Sequence, residues 1–188
     1  MIPSNPYDAK GLLLSAIRGD DPVIFMEPKR VYRAAKGEVP EGDYTVPLGQ
    51  AKIVREGSQL TVLCYGAMVH TCVEAAQMAE KDGFDPEIID LRTLLPLDAE
   101  TVLTSVRKTG RVVIVDEAPA TCSAASEIAA LLAEDPETFR CLKAPVRRVC
   151  AAPVPVPYSP PLEQAALPSR ADITAAVYDV LKESLRAL

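Results

Sequence analysis

Residues 60–92 read LTVLCYGAMVHTCVEAAQMAEKDGFDPEIIDLR. The run opens on LTVLC, five residues without a charge, which suits a strand covered on both faces. A single turn at Tyr65 and Gly66 follows, and then apolar residues recur at helical spacing through 69–83, with Val73, Ala76, Met78 and Ala79 expected to face inward. Gly83 ends that helix, and PEIIDLR supplies a second apolar strand within nine residues. Strand, helix and strand joined this tightly predict a βαβ unit, whose two strands lie parallel beneath a right-handed crossover.

The same rhythm continues toward the carboxyl end. LDAETVLTSVRKTG (97–110) predicts a helix capped by Asp98 and stopped at Gly110, and RVVIVDE (111–117) is a strand rich in β-branched residues. CSAASEIAALLAED (122–135) predicts another helix and APVRRVCA (144–151) another strand. APVPVPYSPP (152–161) is too rich in proline to continue a central strand or a helix. The final segment, 169–188, opens with Ser169 and Asp172 at capping-box spacing and runs amphipathically. The expectation is an α/β fold, a doubly wound, mostly parallel sheet with helices on both faces, over residues 51–188.

Residues 1–50 have a different character. In NPYDAKGLLLSAIRGDDPVIFMEPKR (5–30), Asn5 caps a helix, Pro6 suits its first turn and Asp8 favours its positive end. Leu12, Leu13 and Ile17 follow helical spacing and Gly19 is a natural stop. PVIFME (22–27) then predicts a short strand covered on both faces. One helix and one strand cannot build a core, so residues 1–30 read as the end of another sheet. Pro40, Gly42, Pro47 and Gly49 mark 31–50 as a linker, and AKIVREG (51–57) offers a short edge strand.

Composition narrows the function. The chain has 188 residues, 48% hydrophobic but only 5% aromatic with no tryptophan, so Ala, Val, Leu and Ile must fill its core. A net charge of −6 argues against a nucleic-acid binder, which needs a basic face. No apolar run approaches the length of a membrane span and no signal peptide is read at the start. The five cysteines, Cys64, Cys72, Cys122, Cys141 and Cys150, are odd in number and lack a C-x-x-C pair, as expected of reduced, buried thiols.

Five stretches in one order carry a resemblance: residues 3–58 with the connector YRAAKGEVPEGDY (32–44), IIDLRTLLPLD (88–98), KTGRVVIVDEAP (108–119), ASEIAALL (125–132) and APVRRVCA (144–151). Together they resemble the carboxyl-terminal part of the β subunit of thiamine-diphosphate-dependent 2-oxo acid dehydrogenases. The connector looks most like the branched-chain, 2-oxoisovalerate type; the pyruvate and acetoin types stay open, as does a stand-alone binding module of the same fold. The resemblance implies that residues 1–30 are a remnant of the family's pyrimidine-binding domain and that 51–188 form its transketolase carboxyl-terminal domain. It further implies oxidative decarboxylation by the parent complex, with the catalytic glutamate and histidine upstream of the residues present. Thiamine diphosphate and Mg²⁺ would be held by other parts of that complex, so this chain is expected to bind neither and to be inactive alone. The implied partners are an α subunit, a second β subunit and the peripheral subunit-binding domain of the acyltransferase core, in a bacterial cytoplasm or a mitochondrial matrix.

Three candidate sites follow. In the family, the turn matching AIRGDD helps hold a structural potassium ion, which assigns Ala16, Gly19 and Asp21 here; unpaired carbonyls at a helix end give that a physical basis. The crevice beyond the strand ends, Gly66 to His70 with Arg92, Asp116 and Glu117, is where doubly wound sheets take ligands. It offers only one glycine in its first turn, and Arg92 is expected to pair with a carboxylate. The third is a docking surface around CLKAPVRR, where Lys143 stands at a position often acidic in relatives. Tyr7, Phe25, Tyr32 and the helices at 122–134 and 170–186 are candidate subunit contacts.

Overall fold

In the computed structural model, residues 1–186 are described, with side chains through Lys182. The expected sheet forms. Five strands, β1 (Lys52–Arg55), β2 (Leu60–Cys64), β3 (Pro86–Asp90), β4 (Val112–Pro119) and β5 (Arg147–Ala151), lie in the order β1-β3-β2-β4-β5. β2, β3, β4 and β5 are parallel neighbours, and β1 adds antiparallel to β3 at the edge. Every residue of β2 and β3 is buried, including Glu87 and Asp90 of β3.

Helices cover both faces. On one face α3 (Met68–Lys81) and α8 (Arg170–Arg186) close a core around Val62, Met68, Cys72, Ile88, Val113 and Ile173. On the other, α4 (Ala99–Thr109) and α5 (Ala124–Glu134) close a second around Leu63, Ile89, Val106, Ile114 and Leu132. Asp98 accepts from the Thr101 amide at 3.1 Å, and Gly110 terminates α4 in the left-handed region, as the pattern predicts. Ser169 and Asp172 exchange hydrogen bonds at the start of α8, and the last two residues of that predicted segment lie outside the described residues.

Some expectations change. Met78 faces solvent at 42% exposure, because the inward stripe of α3 runs through the small residues Cys72, Ala75, Ala76 and Ala79 instead. PVIFME is not a strand: among the described residues no neighbouring strand offers it a ladder, and its backbone pairs with Met1, which donates to the Ile24 carbonyl at 2.8 Å and accepts from the Met26 amide at 2.9 Å. Ile24 stands 78% exposed as a result. Three short helices were not anticipated: α2 (Val31–Ala34), α6 (Pro136–Cys141) and α7 (Pro160–Ala166). Pro136, Pro160 and Pro161 stand in the first turns of the last two, where a missing N–H costs nothing. Cys64 and Cys72 are buried as expected, but Cys122 is exposed and Cys141 and Cys150 are half-buried; all five are free thiols.

The first helix, α1 (Pro6–Arg18), buries Leu12 but leaves Ile17 exposed. It packs on the connector: Tyr44 stacks on Tyr7 with ring centres 4.6 Å apart, and the Val46 amide donates to the Gly11 carbonyl at 3.1 Å.

Candidate functional site

The carboxyl ends of β2 and β3 are partly covered, while Ala67, His70 and Thr71 line an open cleft of about 680 Å³ beside them. Residues 1–8 lie across those strand ends as a strap. The Ile2 amide donates to the Arg92 carbonyl at 2.9 Å, and the Ser4 hydroxyl donates to Asp90 at 2.5 Å. His70 lies 2.7 Å through Nε2 from the Ser4 carbonyl, which can only accept, so Nε2 carries the proton. Gly66 explains the single glycine of that turn: at φ +56, a Cβ there would come within 2.8 Å of Ile2.

Beneath the strap sits a buried polar cluster. Asp8 caps the first turn of α1 together with Asn5, whose side-chain amide donates to Asp8 at 2.6 Å and whose carbonyl oxygen accepts from the Asp8 amide at 2.9 Å. The Arg92 guanidinium donates to Asp8 at 2.6 Å, the carboxylate partner expected for it. Arg92 holds φ +57, unusual for a residue with a side chain, and Asp90 steadies it by accepting its amide at 3.0 Å. Burial pushes the Asp90 carboxyl up to about 6, against the lowering effect of the Ser4 and Arg92 hydrogen bonds. The Arg92 Nε is buried without a hydrogen-bond partner.

Asp116 and Glu117 belong to a separate cluster at the end of β4. Asp116 accepts from the Ala118 amide at 2.8 Å, from the Ala125 amide at 3.1 Å and from the Tyr65 hydroxyl, tying β4 to α5 and to the turn after β2. Burial and the adjacent carboxylate raise the Tyr65 phenol, and burial raises Glu117 against the pull of Arg30. The crevice residues thus divide into a strap-bound group (Gly66, His70, Arg92) and a strand-end group (Asp116, Glu117).

Ala16, Gly19 and Asp21 lie at the outer end of α1. The Gly19 amide closes the helix on the Ser15 carbonyl at 3.1 Å, and the Ala16 carbonyl oxygen lies 3.7 Å from the Cβ position of Gly19. Gly19 and Asp21 are exposed. Lys143 is exposed. Among the described residues no helix is long and apolar enough to cross a membrane.

Sequence reasoning missed the strap and Glu87, a fully buried carboxylate in β3 that accepts from the Ser105 hydroxyl and the Lys108 ammonium. A charge inside a central strand was the signal available for the second.

A five-stranded sheet of this order, with four parallel strands, an antiparallel edge and helices on both faces, defines a doubly wound α/β domain. Residues 49–173 match the family described as transketolase, C-terminal domain, and the chain belongs to that family. It is 51% identical over 180 residues to the acetoin:2,6-dichlorophenolindophenol oxidoreductase subunit beta of Cupriavidus necator, covering 96% of this chain and 52% of that one. It is 53% identical over 158 residues to the mitochondrial 2-oxoisovalerate dehydrogenase subunit beta of Dictyostelium discoideum, covering 84% and 42%. Among solved structures it resembles a split-gene transketolase described as an inactive β4 tetramer, at a TM-score of 0.77 and 26% identity over 96% of this chain and 56% of that one. The chain spans about half the length of these proteins.

Proposed function

We propose that this chain is the carboxyl-terminal part of the β subunit of a thiamine-diphosphate-dependent dehydrogenase of the branched-chain 2-oxo acid type, and that its work there is assembly. In this reading, residues 1–30 finish the pyrimidine-binding domain, 31–50 connect, and 51–188 present surfaces to an α subunit, a second β subunit and the subunit-binding domain of an acyltransferase core. The observation that supports it most is the strap: residues 1–8 lie over the carboxyl ends of β2 and β3 and join α1 to β3.

The residues present do not fit thiamine diphosphate. Over β2 and β3 the crevice is covered by Ile2 and Ser4, and the two carboxylates beneath them are already engaged by Ser4, Asn5 and Arg92. No step of oxo acid cleavage is therefore assigned to this chain. Exposed Ile17, Ile24 and Tyr32 on the leading segment support a covered, assembled state instead. The same reading gives the Ala16 and Gly19 carbonyls and the Asp21 carboxylate to a potassium ion, with further ligands from outside the chain.

A second reading, the acetoin type, is favoured by the length of the Cupriavidus necator match. Co-expression with α subunits of each type separates the two, by which α chain co-purifies. The expected result is a stable complex with the branched-chain α subunit that neither decarboxylates 2-oxoisovalerate nor retains thiamine diphosphate on this chain. Turnover by this chain alone overturns the proposal.

A further inference from the structure

The turn after β2 also borders the open cleft beside the strap. β2 has β3 on one side and β4 on the other, so the winding of the sheet reverses at β2. The crevice outside the carboxyl end of such a strand is where doubly wound sheets take ligands. The strap covers its β3 side, where Ser4 meets Asp90. The cleft of about 680 Å³ that stays open has the size of a small-molecule site. Ala67 and Thr71 line it from the start of α3, Arg30 from the connector, and Glu163 and Arg170 from α7 and α8.

The groups around it are short of acceptors. Asn5, Asp98 and Ser123 each accept an amide in the first turn of α1, α4 and α5, whereas no side chain caps α3 and its first turn holds no acidic residue. The Met68 and Val69 amides reach back only to the Tyr65 and Gly66 carbonyls, at 3.2 and 3.3 Å. Thr71 adds an independent sign. It is only 9% exposed, its hydroxyl has no hydrogen-bond partner among the described residues, and it lines this cleft. A hydroxyl so nearly buried is costly to leave unpaired. Arg30 acts on Glu117 through space but makes neither a hydrogen bond nor a salt bridge among the described residues. Arg170 pairs loosely with Glu74 at 3.6 Å, both side chains being more than half exposed.

We propose that this cleft binds a small phosphomonoester whose body carries hydroxyl groups. The phosphate takes the Thr71 hydroxyl and the uncapped start of α3, Arg30 and Arg170 neutralise it, and hydroxyls of the body donate to the Glu163 carboxylate and the Gln164 side-chain oxygen. The donor set selects phosphate. Two guanidiniums, a hydroxyl and a positive helix end offer more than the two oxygens of a carboxylate accept, and guanidinium matches phosphate in a two-pronged way. The acidic residues limit the charge. Glu74 and Glu163 balance the two arginines, so a second phosphate would meet uncompensated like charge.

This goes beyond the assembly reading and does not depend on it. The test is titration of the whole chain with inorganic phosphate, glycerol 3-phosphate, AMP and inorganic pyrophosphate, followed by amide shifts in nuclear magnetic resonance and by calorimetry. The amides of residues 66–71 should shift. At least one of the two monoesters should bind about tenfold more tightly than inorganic phosphate, and pyrophosphate should bind more weakly than that ester. Arg30→Ala should weaken ester binding about tenfold, and Thr71→Val about fivefold. Because the Thr71 hydroxyl has no internal bond to lose, Thr71→Val should leave the thermal melt by circular dichroism unchanged. Arg18→Ala, whose guanidinium pairs with Asp43 outside the cleft, should change neither affinity nor shifts. Three results would each overturn the proposal: no probe shifts residues 66–71, Arg30→Ala and Thr71→Val bind as the wild type does, or inorganic phosphate binds as well as both esters, the mark of an adventitious ion only.

Discussion

Replacing Asp8 with alanine should be among the most damaging single changes in the chain. Asp8 is fully buried, and Arg92 is nearly so. Their contact is 2.6 Å long and joins positions 84 residues apart. Removing Asp8 strips the Arg92 guanidinium of its ion-pair partner, while Arg92 already carries an unpartnered Nε among the described residues and a left-handed backbone. A buried charge orphaned this way costs about 3–5 kcal/mol, which for a chain of this length lowers Tm by roughly 6–20 °C. The exposed pair of Arg18 with Asp43 has the same 2.6 Å length but sits in water. Arg18→Ala should cost no more than about 1 kcal/mol. Urea unfolding followed by circular dichroism measures both, the absence of tryptophan leaving ellipticity as the convenient probe. Asp8→Leu combined with Arg92→Met removes both charges and should recover most of the loss. If Asp8→Ala costs no more than Arg18→Ala, the pair is not desolvated and the strap does not hold α1 to the sheet.

Asp90 sets a pH dependence that Asp90→Asn should erase. Its folded pKa of about 6 stands above the ordinary 3.8, so the folded state binds the proton more tightly. The stability it contributes is therefore complete below the ordinary value and is lost as pH rises through about 6, a difference of roughly 3 kcal/mol between wild type and variant over that window; urea midpoints at stepped pH read it. Gly57→Ala should cost about 1–3 kcal/mol or more, read as a lowered urea midpoint, because a Cβ there would meet the Glu87 amide nitrogen and the Pro86 carbonyl carbon, both at 2.4 Å and both backbone. Glu87→Ala should cost about 1–3 kcal/mol by leaving the buried Ser105 hydroxyl short of its acceptor, and Glu87→Gln should cost less; thermal melts by circular dichroism rank the two.

The sheet was legible because its information is local. β2 and the Val112–Val115 part of β4 are short uncharged runs, β3 carries Ile88 and Ile89, and the Asn5, Asp98 and Ser169 caps announce their helices within three residues. The short helices escaped notice because one or two turns carry too few apolar positions to establish a period. PVIFME misled for a different reason. Its apolar composition reports that the segment suits burial, but a strand exists only where a neighbour supplies the ladder, and periodicity cannot say whether that neighbour is present.

The strap was illegible for a sharper reason. Its contacts join Ser4 to Asp90, Asp8 to Arg92 and Ser4 to His70 across separations of 86, 84 and 66 residues. Each of those residues has an ordinary local reading: a helix approach, an N-terminal carboxylate, a strand end, a helix start. Only the fold brings them together, and once together they exclude water from two carboxylates and one guanidinium. That arrangement consumes the groups a ligand would need. One buried arginine cannot both neutralise Asp8 and receive an incoming anion, because releasing Asp8 would cost about as much as the pair's partner removal, several kcal/mol. The chemistry beneath the strap therefore points inward, to joining the leading helix to the sheet.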